Sequence, residues 1–99
     1  MRIFSRKTLR EFWELPDHVD SEQPLKAWYD EASKANWKTP NEIKELYKNA
    51  SILKDGRAVF NIHRNKYRLI VKINYDFTVI YIRFVGTHKH YDKINANEV

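Results

Sequence analysis

From Asn61 to Tyr91 the chain reads NIHRNKYRLIVKINYDFTVIYIRFVGTHKHY. Apolar and polar residues alternate through two runs, and a period of two fits a pleated strand but not a helix. In the first run, Tyr67, Leu69, Val71, Ile73 and Tyr75 share one side, opposite Arg68, Ile70, Lys72 and Asn74. In the second, Thr78 to Val85, the alternation sets Ile80, Ile82 and Phe84 opposite Val79, Tyr81, Arg83 and Val85. A third run, Arg57 to Ile62, precedes them, with Ala58, Phe60 and Ile62 on one side. Asp55-Gly56 reads as a turn. His63 to Lys66 and Asp76-Phe77 are connections of hairpin length. The pattern predicts an antiparallel meander with one face packed and one face open. The open face would carry Arg68, Lys72, Tyr81 and Arg83.

The upstream half has helical spacing. Arg2-Ile3-Phe4 favours a short strand, and Ser5 is placed to cap a helix that buries Leu9, Phe12 and Trp13 and stops at Pro16. From Ser21, Leu25, Trp28, Tyr29 and Ala32 fall at i, i+3, i+4 and i+7, which makes one apolar face. Pro40 suits the first turn of a shorter helix whose Ile43, Leu46 and Tyr47 point inward. Asn49 to Lys54 is expected to be a connection. After Gly86, Thr87 can cap a last helix through His88, Tyr91 and Ile94. The element order is β-α-α-(α)-β-β-β-α. It predicts an α+β fold, one domain over residues 1–99, with two N-terminal helices on one face of an antiparallel sheet. The tryptophans are assigned to the core rather than to base stacking.

Charge then narrows the partners. Residues 1–49 carry nine Lys/Arg and nine Asp/Glu, whereas residues 50–99 carry nine and four. The whole net charge of +5 therefore belongs to the half that holds the strands. Charge needed only for solubility has no reason to collect there, so a polyanion, chiefly nucleic acid, or an acidic peptide is the expected partner. The chain has no cysteine, which excludes disulfides, thiolate ligands and a thiol nucleophile. It shows no apolar run of membrane-spanning length and no signal-peptide pattern, so a cytoplasmic protein without membrane contact is expected.

Gly86 to Lys93 gathers His88, His90, Tyr91 and Asp92. Imidazoles exchange protons near neutral pH. Cleaving RNA through its own 2′-hydroxyl needs a base, an acid and positive charge around the phosphate. His88, His90, Tyr91, Arg68 and Arg83 are the catalytic candidates. Lys66, Lys72, Arg64, Lys89 and Lys93 are the candidates for RNA binding. No metal or other cofactor is expected. His88-x-His90 with Asp92 is a metal-site alternative. His63 joins the site only if its hairpin folds back, and His18 has no expected role. A module that binds RNA or an acidic peptide on the same face without cleaving is the alternative function.

Together, NIHRNKYRLIVKINY and VIYIRFVGTHKHYDKI, preceded by WKTPNEIKELYKNASILKDGRAVFNI, resemble the HigB family of bacterial type II toxins within the RelE-like group. The resemblance spans roughly residues 36–95. It implies a RelE-like fold and an mRNA endonuclease that acts on the ribosome. It also implies an inhibitor, a HigA-like helix-turn-helix antitoxin. Lys66, Arg68 and Arg83 match its basic positions, and His88 and Tyr91 match its closing motif. Where the family carries Glu before Tyr-Asp, this chain has His90. That leaves the general base open among His88, His90 and Tyr91.

Overall fold

The computed structural model describes residues 1–99. Its strands are β1 (Arg2–Phe4), β2 (Ser51–Ile52), β3 (Arg57–Ile62), β4 (Tyr67–Asn74) and β5 (Val79–Thr87). Its helices are α1 (Arg6–Trp13), α2 (Glu22–Lys34), α3 (Pro40–Leu46) and α4 (His88–Tyr91), and a 3-10 segment over Pro16–Ser21 joins α1 to α2. The strands form one sheet in the order β1-β5-β4-β3-β2. The meander β3-β4-β5 is antiparallel as expected, but β1 runs parallel to β5, so the sheet is mixed.

The alternation read from sequence builds the core. Ala58, Phe60, Ile62, Tyr67, Leu69, Val71, Ile73 and Ile80 are buried with Leu9, Phe12, Trp13, Leu25, Trp28 and Ala32 of the two N-terminal helices. All three tryptophans are buried. Trp28 meets Phe60 edge-on, with ring centroids 5.4 Å apart. Ile43 is buried and Tyr47 half-buried, but Leu46, expected inward, is 54% exposed. Ser5 occupies the N-cap of α1 without a side-chain capping bond. Thr87 does cap α4, its hydroxyl accepting from the His90 N–H at 3.2 Å. Regular helix ends at Tyr91, and turns carry the chain on to Ile94.

Two local features depart from the expected pattern. The connection at 49–54 contains β2, which pairs with β3 through Ser51↔Val59 and Ile52↔Ala58. Leu53 to Gly56 join them through a turn in which the Arg57 N–H donates to the Lys54 carbonyl at 3.3 Å, and Asp55 and Gly56 at its centre both have positive φ (60° and 77°), as a type I′ turn requires. Second, β5 bulges. Ile70 pairs with Phe84 and Val71 with Ile82, leaving Arg83 as the extra residue. A bulge resets which side each later residue faces. Ile80 and Ile82 stay on the helix side. Beyond Arg83, however, Val85 packs against the core, while Phe84 changes to the other face and lies against Gly86. The expected grouping of Phe84 with Ile80 and Ile82 is thereby corrected.

The face opposite α1 and α2, free of helix apart from the four-residue α4, is also less open than expected. Val59 and Ile70 point to it, yet both are buried. The chain after α4 turns back toward β3, where the Arg57 Nε–H donates to the Val99 carbonyl at 3.2 Å. The exposed strip of this face runs along β5.

A methyl group at Gly56 would stand 2.5 Å from the Ile73 carbonyl oxygen, at a φ that disfavours any side chain. Gly56→Ala is therefore expected to lower stability by about 2–4 kcal/mol, as measured by urea unfolding monitored through tryptophan fluorescence.

Candidate active site

The site begins with a strained hairpin. His63 and Arg64, between β3 and β4, have φ values of 55° and 65°, a region that costs a non-glycine residue about 1–2 kcal/mol. A carboxylate from another part of the chain holds this turn. Asp20, in the 3-10 segment, accepts hydrogen bonds from the Lys66 ammonium and the Tyr67 hydroxyl. His63 Nε2 lies 3.6 Å from the same carboxylate. Below, His18 stacks on Phe12 at 4.4 Å and meets Tyr67 edge-on at 5.5 Å. His18 is thus part of the packing that seats Tyr67. Lys66, followed by Tyr67, holds the Asp20 carboxyl below its ordinary 3.8. Asp20 in turn raises the Lys66 ammonium, while burial, aided by Asp20, raises the Tyr67 phenol.

The pinned hairpin presents Asn65. Its Oδ1 lies 3.1 Å from His88 Nε2. On the next strand, the Arg68 Nε–H donates to the same nitrogen at 3.3 Å. The Arg68 guanidinium also sits 4.9 Å over the Tyr91 ring, a cation–π arrangement. Arg68 is paired with Gly86 across β4 and β5. Gly86 leaves room there: a Cβ would stand 2.6 Å from the Phe84 ring and 3.2 Å from the His90 Cβ.

One imidazole nitrogen facing a donor and an acceptor is suited to moving a proton. With its lone pair free, Nε2 accepts from Arg68. Carrying a proton, it donates to Asn65 Oδ1. In each protonation state the nitrogen has one hydrogen-bond partner.

The other predicted residues divide by position. Arg83 and Lys72 are exposed on the helix-free face and line a cavity of about 650 Å³ with Tyr81. Arg64, Lys89, His90 and Lys93 are exposed. Lys66 is exposed but ion-paired to Asp20. No group of three or more His, Asp or Glu side chains is arranged to hold a metal ion. No helix is long and apolar enough to cross a membrane. Sequence alone does not single out Asn65 or Asp20: Asn65 stands among basic residues that carry the stronger signal, and nothing local marks Asp20, 46 residues from its partner Lys66.

The fold and this cluster can now be set beside known proteins. A family model described as HigB toxin, the RelE-like toxic component of a toxin-antitoxin system, matches residues 21–94. The chain belongs to the HigB toxin family. It is 29% identical over 99 residues to the protein named mRNA interferase toxin HigB of Escherichia coli K12, covering 97% of this chain and 92% of that one. Proteins named mRNA interferase HigB, from Escherichia coli O157:H7 and Shigella flexneri, match at the same identity and coverage. The HigB match takes in Asn65, Arg68, His88 and Tyr91, and begins one residue after Asp20.

Asp20 links folding to pH. Its folded pKa lies below the unfolded one, so its contribution is present above about pH 4 and is lost as pH falls through the folded value. Asp20→Asn is expected to unfold at lower denaturant at pH 7. Between pH 5 and pH 2 its stability should fall less steeply than the wild type's in a denaturant series.

Proposed function

We propose that this HigB-family chain is an mRNA interferase, a cytoplasmic endoribonuclease that cuts mRNA on the translating ribosome without a metal ion. The observation that carries this reading is the convergence of Asn65, Arg68, His88 and Tyr91 on the helix-free face of a sheet whose half of the chain holds the whole excess of positive charge. The names of the relatives support the same reaction class.

The 2′-oxygen attacks the adjacent phosphorus and gives its proton to His88 Nε2, with Asn65 Oδ1 receiving the N–H that results. The bond from phosphorus to the 5′-oxygen then breaks. The leaving oxygen takes a proton from the Tyr91 hydroxyl or the His90 imidazolium. The products are a 2′,3′-cyclic phosphate and a 5′-hydroxyl. Arg68 neutralises the charge that builds on the phosphate, and Arg83, farther along β5 beside Tyr81 and Lys72, meets a flanking phosphate. Lys72, Lys89, Lys93 and Arg64 draw in the flanking strand. Lys66 acts mainly through Asp20, which holds the hairpin and so positions Asn65. A toxin of such a system requires an inhibitor, and a HigA-like helix-turn-helix antitoxin fits that role.

His88→Ala and Arg68→Ala are each expected to lower mRNA cleavage on translating ribosomes by about 10²–10⁴-fold and to abolish growth arrest on induction. Cleavage by the wild type should persist in excess chelator, with ribosomes kept intact by polyamines. Binding of mRNA with no cleavage by the wild type would favour a binding module instead. Fully active His88→Ala would remove this assignment of the base.

A further inference from the structure

The helix-free face holds a second constellation, about 20 Å along β5 from His88 at the usual strand rise. Phe4 of β1 is in register with Tyr81 of β5. Their rings stack with centroids 5.8 Å apart and planes 20° from parallel. Both stand in solvent, 42% and 43% exposed. The Arg2 guanidinium lies 5.3 Å over the Phe4 ring. Lys72 is the cross-strand partner of Tyr81, and Arg83 follows two residues on. Tyr81, Lys72 and Arg83 line the cavity of about 650 Å³, with Asn74, Asp55 and Asp76 also on its wall.

Resting on the reading above, we infer that this is a nucleobase subsite: Tyr81, backed by Phe4, stacks a base of single-stranded RNA a few nucleotides from the scissile linkage. Three observations select RNA as the occupant. Exposed aromatic rings flanked by cations suit a base beside its phosphate, since every base has a π-face. Lys72 shares β4 and its exposed face with Arg68, and Arg83 lies on β5, which leads to His88, so one extended RNA strand reaches both. The two carboxylates in the cavity repel a phosphate but accept hydrogen bonds from the amino groups of a base edge. The base is therefore directed inward, and the phosphate toward Arg83, Lys72 and Arg2. Arg83, the extra residue of the bulge, lines the cavity beside Tyr81 and Lys72.

The test uses the full chain with an uncleavable 2′-O-methyl single-stranded oligonucleotide, scanned with one abasic position at a time. Fluorescence anisotropy gives the binding. Tyr81→Thr, which keeps a β-favouring residue, is expected to weaken binding about tenfold, and Tyr81→Phe to recover it. In the wild type, one abasic position should cause a similar loss, and that position should cost nothing further in Tyr81→Thr. Equal binding by Tyr81→Thr and wild type overturns the inference, as does a wild-type scan with no sensitive position. A loss in Tyr81→Thr confined to the antitoxin would also overturn it, by assigning the face to a protein. Cleavage by His88→Ala is assayed in parallel. Loss there with unchanged binding in Tyr81→Thr would sink the subsite alone. Stacking without any wild-type cleavage would sink the catalytic reading alone.

Discussion

Asp20 holds the candidate site of this molecule in place. Its carboxylate binds Lys66 and Tyr67, the two residues that close the β3–β4 hairpin. Without that anchor, a turn that holds two non-glycine residues in left-handed conformation would lose the ties through Lys66 and Tyr67 that close it. Asn65 rides on this turn and meets His88 from the far end of the chain. A contact between the 3-10 segment and one hairpin thus sets the position of Asn65, the partner of an imidazole 68 residues downstream of Asp20 in sequence.

The sheet divides the remaining labour. One face is filled by the helices and gives stability. The other is closed over β3, where Arg57 meets Val99, and exposed along β5. The bulge at Arg83 performs the division within a single strand. Ahead of it, Ile80 and Ile82 serve the core and Tyr81 faces water. Beyond it, Val85 takes over the core side, and Phe84 and Gly86 make the floor beside Arg68. Cations therefore appear on the same face at both ends of the strip. That is the arrangement an extended polyanion needs.

Much of this was legible in the sequence because it follows from period and local chemistry. Alternation placed Arg68 and Lys72 on the helix-free face, and i, i+3, i+4 spacing placed Leu25, Trp28 and Ala32 in the core. The cap at Thr87 was readable from residue type alone. The strand β2 was legible but unread: Asp55-Gly56 is a hairpin turn, and a hairpin requires a strand on both sides. The bulge was not legible, since apolar residues stand on both sides of Val79 to Val85, and one inserted residue only exchanges one apolar side chain for another. The direction of β1 was likewise hidden, because a three-residue strand carries no signal of its partner. Asp20 was invisible for a different reason. It acts through tertiary contact, and in sequence it is one acid among nine in a neutral half. The pairing of Lys66 with that acid also could not be read from a motif counted for its basic residues.

In the proposed mechanism Asp20 reaches the reaction through Asn65. A double-mutant cycle tests this most directly. Single-turnover cleavage of ribosome-bound mRNA would be compared among wild type, Asp20→Ala, Asn65→Ala and the double variant, all at neutral pH and well below their unfolding temperatures. The account predicts that each single change slows cleavage and that the double variant is no slower than Asn65→Ala, within about twofold. Two losses that simply multiply would show that the residues act independently, and the anchored-hairpin account would then be wrong.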